Sequence, residues 1–180
     1  MKKIVTKILC VLMALSVVGL AACGKAKPTA EYLEFYGMAG SASYELRNTP
    51  EGYVGSRLNI DRWEDSIDFR FGLGDASFSV TLMGNPKEPI YVWYRVVEDG
   101  AERTEKIAML SYATSTATPT VSHVKVNSKE VKPSHEAYDG IVATAQQVYE
   151  DWLPVLNDVI AQISGQKYAS LDVLRVQEQA

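Results

Sequence analysis

Hydrophobic and polar residues alternate with a period of two from about residue 32 to residue 112. Such alternation is typical of strands that bury one face and turn the other toward water. Glycine, proline, asparagine and aspartate interrupt the pattern at short intervals, and Asp99-Gly100 is a strong hairpin signal. The pattern predicts six strands, over residues 43–47, 53–60, 67–73, 78–82, 90–97 and 106–112. Consecutive strands joined by hairpins form an antiparallel meander.

The spacing of apolar residues changes to three and four after Pro133, which is typical of an amphipathic helix. We expect this helix to cover residues 134–164, with Ser134 as its N-cap and Gly165 at its end. Pro154 is expected to kink the helix or divide it in two, because proline removes one backbone hydrogen bond. The apolar stripe consists of Tyr138, Ile141, Ala145, Val148, Trp152, Val155 and Val159.

A run of strands followed by one helix predicts the α+β class. We expect an antiparallel β-meander sheet of about six strands, with the long C-terminal amphipathic helix packed on one face. Residues 31–180 would form this single domain. Three segments leave alternatives open: 113–120 as a connector or an edge strand, 121–126 as a possible further strand, and 171–176 as a short helix or a strand.

The first 24 residues have the three-part layout of an export signal. Lysines at positions 2, 3 and 7 precede an apolar run over residues 8–20, which is shorter than the ~20 residues of a membrane-spanning helix. The run ends in Leu20-Ala21-Ala22-Cys23-Gly24. This segment resembles the lipobox of bacterial lipoproteins, with leucine three residues before the cysteine, small residues between them and glycine after it.

The resemblance implies removal of a signal peptide, residues 1–22, and attachment of lipid to the Cys23 sulfur. Labelled palmitate would enter the protein at this position. Residues 23–30 would then be the lipidated cysteine and a short tether, and the domain would be lipid-anchored to the bacterial cell membrane on its extracytoplasmic face. An ordinary secretory signal, with Cys23 incidental, is the alternative. Whether the envelope has one membrane or two stays open.

The composition, 47% hydrophobic and 22% charged, is that of a globular protein. Residues 1–22 carry three lysines and no acids, so their removal changes the formal net charge from −4 to −7. An acidic chain without a basic run is a poor partner for nucleic acid. The other cysteine, Cys10, lies in the signal, which excludes disulfides and cysteine nucleophiles from the remaining chain.

No catalytic or metal-binding motif occurs in the chain, and the sequence assigns no catalytic residue, metal ligand or cofactor. His123 and His135 are twelve residues apart in different predicted elements, and we expect them to be surface imidazoles.

Four carboxylates cluster between residues 61 and 68, namely Asp61, Glu64, Asp65 and Asp68. Two of them could flank a glycosidic bond and hydrolyse it as an acid and a base. Arg62 and Arg70 lie nearby, however, and a solvated turn with ion pairs is the simpler interpretation.

The alternating strands also predict what lies on the face away from the helix. If the odd-numbered apolar residues of 67–71 and their partners in 78–82 and 90–94 face the helix, polar and aromatic side chains share the opposite face. That outer face would carry Asp68, Arg70, Ser77, Ser79, Thr81, Tyr91, Trp93 and Arg95. We predict a ligand-binding site there, formed by Arg70, Tyr91, Trp93 and Arg95, and suited to stacking of sugars or to peptide contacts. The alternatives are coverage by the N-terminal strands, or a partly wet sheet without a ligand.

The sequence therefore leads to a hypothesis of a non-catalytic domain that binds an envelope protein or a saccharide near a membrane. A cell-envelope hydrolase that uses the carboxylates near residues 61–68 is the first alternative. The second is a lipid or lipoprotein carrier, in which a curved sheet wraps the helix around an apolar cavity.

Overall fold

A computed structural model describes residues 27–34, 40–49, 56–100 and 102–177. The export signal and Cys23 lie outside these residues. The described chain forms one sheet of nine antiparallel strands, and their order in the sheet is their order in the chain. The strands are β1 (Thr29–Glu34), β2 (Ser41–Arg47), β3 (Arg57–Arg62), β4 (Ser66–Leu73), β5 (Ala76–Met83), β6 (Ile90–Asp99), β7 (Arg103–Tyr112), β8 (Thr120–Val126) and β9 (Lys129–Glu130). Two helices follow, α1 (Tyr138–Ile163) and α2 (Leu171–Gln177).

The α+β class and the meander are confirmed, but the expected number of about six strands is wrong. β1 begins at Thr29, inside the segment expected to be a tether, because its backbone pairs with β2 from Thr29 opposite Arg47 onward. The possible strand over 121–126 is β8, and β9 adds two further residues. The segment 171–176 falls within α2, so the helical alternative is the correct one.

The central strands alternate as the sequence pattern predicts. Phe69 lies between Ile60 and Val80 across the sheet, and Phe71 lies beside Phe78. The phenylalanines, like Val80, are almost completely buried. Their common face is the inner face of the sheet, which packs against α1, while the residues between them point to the outer face.

Helix α1 is held on the inner face by large aromatic side chains. The ring of Trp152 lies 4.9 Å from that of Phe71 on β4, between centroids. The helix runs without interruption through Pro154, so the expected division in two is wrong. Pro154 is exposed, whereas Trp152 and Val155 on either side are buried, so packing on the sheet holds the helix together across the missing hydrogen bond.

The start of α1 differs from the expectation. Its N-cap is Ala137 instead of Ser134. The backbone NH of His135 donates to the carbonyl of Lys132, and the NH of Tyr138 donates to the carbonyl of His135. These bonds form turns that occupy the residues before the helix and leave Ser134 outside it. The C-terminal end agrees with the prediction, since Gly165 has a φ of +60° directly after the helix.

Polar contacts hold the short helix α2 against α1 and against the segment between β7 and β8. Asp172 accepts a hydrogen bond from the backbone NH of Ser115 at 3.2 Å. Arg175 donates to the carbonyl oxygen of Ala113 at 2.7 Å, and Asn157 of α1 accepts from the backbone NH of Leu171 at 2.8 Å. Leu171 and Leu174 are thereby buried against the core.

Two buried tyrosines give the fold a predictable response to alkali. The rings of Tyr112 on β7 and Tyr149 on α1 lie 4.3 Å apart, and the Tyr149 hydroxyl donates to the carbonyl oxygen of Ser115. Burial, and to a lesser extent the Glu150 carboxylate, raises the pKa of Tyr112 to about 12. Burial also raises the pKa of Tyr149 above its ordinary value of 10.

The unfolded chain ionises these phenols first, near pH 10, so their contribution to stability is complete below pH 10 and is lost as the pH rises from 10 towards 12. We expect the urea midpoint to fall over this interval. The fall should be smaller in Tyr112→Phe, which removes one of these two phenols. Equal falls in the parent and the variant would contradict the assignment.

Candidate functional site

Among the described residues, nothing covers the centre of the outer face of the sheet. β1, β2 and β3 continue the same sheet beside β4, so they do not fold over this face. The alternative of coverage by the N-terminal strands is therefore wrong. Trp93 keeps 39% of its surface exposed, and the Arg70 and Arg95 side chains are exposed as well.

A shallow depression of about 230 Å³ lies at this centre. Ser77 and Ser79 of β5 form its floor, Arg70 of β4 forms one wall, and Trp93 and Arg95 of β6 form the other. The strand register explains the arrangement, because Ser79 pairs with Arg70 on one side and with Trp93 on the other. Small serines between large neighbours leave a hollow of this shape.

Arg70 pairs with two carboxylates, Asp68 on its own strand β4 and Asp61 on the neighbouring strand β3. Its Nε donates to Asp68 Oδ2 at 2.8 Å, and its Nη2 pairs with Asp61 Oδ2. The other oxygen of each carboxylate is also used, since Ser41 donates to Asp61 at 2.7 Å and Thr81 donates to Asp68 at 2.8 Å. Within the described residues, Nη1 of Arg70 has no such partner. The network therefore holds the guanidinium rigid while leaving it donors for a ligand.

The second wall is ordered in a similar way. Arg95 Nε donates to Glu105 Oε1 of β7 at 2.6 Å. The ring of Trp93 lies 6.4 Å from that of His123 on β8, between centroids. Trp93 thus has the guanidinium of Arg95 on one side and the imidazole of His123 on the other.

The structure brings three of the four predicted binding residues together. Arg70, Trp93 and Arg95 line the depression, whereas Tyr91 lies one row away, beside Thr81 and Ser111. Tyr91 shares the outer face but does not line the depression.

The sequence pattern missed two residues that shape the wall. His123 reaches the site because β8 pairs with β7, and Glu105 reaches it because β7 pairs with β6. Residues 121–126 alternate only weakly, so the sequence pattern did not predict the contact made by His123.

The carboxylates near residues 61–68 separate into two groups. Asp61 and Asp68 pair across β3 and β4 on the outer face, where both accept from Arg70. Glu64 and Asp65 are exposed in the turn between these strands. The first two carboxylates act as hydrogen-bond acceptors in a structural network, and the arrangement places neither as a proton donor to a bound sugar.

Within the part of the chain that the structure describes, no group of three or more histidine, cysteine, aspartate or glutamate side chains is placed to hold a metal ion. Neither described helix has both the length and the apolar character that a membrane crossing requires. Comparison of the chain with protein-family models, with curated proteins and with solved structures found no match.

Proposed function

We propose that the protein is a non-catalytic binding domain, held by lipid on Cys23 at the extracytoplasmic face of a bacterial membrane, and that it binds a neutral saccharide on its outer sheet face. The observation that carries the proposal is the depression between Trp93 and the fixed guanidinium of Arg70. The lipobox at residues 20–24 supports the anchor.

The chemistry of the depression suits a sugar ring. One face of a pyranose is apolar and packs on an indole, while its hydroxyl groups need directed donors and acceptors. Trp93 supplies the aromatic surface, and the serine floor of Ser77 and Ser79 supplies hydroxyls. Arg70 and Arg95 supply donors whose positions are set before the ligand arrives, which lowers the entropy that binding costs.

The charges favour a neutral ligand over an anionic one. The site contains two arginines, Arg70 and Arg95, and three carboxylates that pair with them, Asp61, Asp68 and Glu105. These five side chains have more negative than positive charges, so they would repel a negatively charged ligand. A saccharide without carboxylate or phosphate groups avoids this repulsion.

The positions of the four carboxylates near residues 61–68 support binding in preference to hydrolysis. Asp61 and Asp68 are engaged with the same guanidinium, and Glu64 and Asp65 lie on an exposed turn. A glycosidase needs one carboxyl group that protonates the leaving oxygen and another that acts as a base or nucleophile.

The test is calorimetric titration of the protein with soluble oligosaccharides of glucose, mannose and N-acetylglucosamine. We expect one of these series to bind, and Trp93→Ala or Arg95→Ala to weaken its binding at least tenfold, as removal of a central contact does elsewhere. The matched control is Trp63→Ala, since Trp63 is 54% exposed and lies in the turn between β3 and β4, outside the depression. Parental affinity in Trp93→Ala, or no binding of any series by the parent, would overturn the saccharide assignment.

A further inference from the structure

A second cavity, of about 350 Å³, lies on the inner side of the sheet. It lies between strands β2 to β4 and the C-terminal end of α1. Its lining is mainly apolar and includes Ala42, Ile60, Phe69, Ile160, Ile163 and Leu174. We call it the inner hollow. Its size is near the lower end of the range for small-molecule sites, about 300–1,000 Å³.

The inner hollow has a polar edge at one place. Arg62, at the end of β3, lines it and is exposed. Gly40 lies against the same residue, and a Cβ on Gly40 would come within 3.0 Å of the Arg62 carbonyl oxygen. The glycine therefore allows β2 and β3 to approach closely beside the opening. An apolar interior with a cation at its edge is the pattern that an amphiphile requires.

A neighbouring recess of about 240 Å³ lies beside the inner hollow. The two share Arg62, Ile67 and Leu174 as lining residues. The recess continues to Trp63, which is 54% exposed, and Ile163 at the hollow is 39% exposed. Large apolar side chains therefore lie at the surface around the opening, where an apolar ligand would cover them.

The chain enters the domain beside the inner hollow. Gln162, near the end of α1, donates to the carbonyl oxygen of Pro28 at 2.7 Å and accepts from the backbone NH of Ala30 at 3.3 Å. The next residue of the helix, Ile163, lines the hollow. Cys23 lies four residues before Lys27, so extended chain would place the two no more than about 14 Å apart. A lipid on Cys23 would thus hold the hollow close to the acyl chains of a membrane.

We propose that the inner hollow binds one acyl chain of a single-chain lipid, either a fatty acid or a lysophospholipid, with its polar head beside Arg62. We name a single-chain lipid because the hollow, of about 350 Å³, fits part of one acyl chain. The location near a membrane rests on the proposed anchor, whereas the site itself rests on the lining residues. This site is independent of the depression around Trp93, which lies on the opposite face.

The experiment uses the chain from residue 23 onward with Cys23→Ser, which contains every described residue and carries no lipid of its own. The probe is cis-parinaric acid, whose fluorescence rises in an apolar site. We expect saturable binding of the probe, with displacement by oleic acid, by oleoyl lysophosphatidylcholine or by both. Displacement by either lipid supports the site, displacement by only one of them identifies the head group, and displacement by neither overturns the proposal.

Two variants locate the binding. Ile163→Asp places a charge at the opening, and Ala42→Leu fills the interior, so each should weaken probe binding at least tenfold. Val176→Asp is the matched control, because Val176 is 65% exposed on α2 and does not line the hollow. Circular dichroism verifies that each variant is folded. Parental affinity in Ile163→Asp would overturn the proposal even if Ala42→Leu fails to fold. Trp93→Ala should keep full probe binding, so failure of this site and failure of the saccharide site are distinguishable.

Discussion

Replacement of Trp152 by alanine is expected to lower the free energy of unfolding by about 3–5 kcal/mol. Trp152 is completely buried on α1, and its ring packs on Phe71 at the centre of the inner face. Truncation removes the apolar surface of the indole from the core and leaves a cavity between helix and sheet. Urea denaturation at neutral pH, followed by circular dichroism, measures the loss. A loss of this size is a large share of the stability of an ordinary domain.

The matched control for this prediction is Trp93→Ala, which removes the same side chain from the exposed outer face. Its 39% exposure and its position away from the helix predict a change of less than about 1 kcal/mol. If Trp152→Ala destabilised the protein by no more than this control, α1 would not be docked on β4 as described.

Replacement of Cys23 by serine is expected to release the protein from the membrane fraction. Serine has no thiol to accept diacylglycerol, so the mature chain would lose the acyl chains that hold it. Stable anchoring requires two or more chains, because a single one binds reversibly. Growth with labelled palmitate followed by fractionation measures both label and location.

A conservative control separates lipidation from other effects at the N-terminus. Gly24→Ala changes the residue after the cysteine and keeps the thiol, so we expect the protein to retain label and remain in the membrane fraction. If Cys23→Ser incorporated palmitate and sedimented with membranes as the parent does, the lipoprotein assignment would fail.

Much of the sheet could be predicted because hydrophobic and polar residues alternate along β4 and β5, with short turns between β4, β5 and β6. Hairpins fix which strands pair, and alternation then fixes which side chains share a face. The outward position of Trp93 and the inward position of Val92 follow from these two facts alone. The placement of Arg70 in the same row as Trp93 follows as well, through the register with Ser79.

Other features depend on contacts between distant residues and leave no periodic signal. β1 is a strand because its backbone pairs with β2 and because Gln162 of α1 bonds to Ala30 of β1 and to Pro28 just before it. The pairing of Arg70 with Asp61 depends on the register that sets Asp61 opposite Asp68. The inner hollow lies between the C-terminal end of α1 and strands β2 to β4, and periodicity cannot show a gap between elements.

The nine strands lie in the sheet in the same order as in the chain, and this order affects how the protein would fold if it were secreted. A chain that crosses a membrane from its N-terminus delivers β1 first, and each later strand can pair with the one that has just emerged. Helix α1 would arrive only after all nine strands, so the phenylalanines of β4 and β5 would stay uncovered while residues 84–137 cross. We expect the nascent sheet to be most prone to aggregation and proteolysis during this interval, and arrival of α1 to end it.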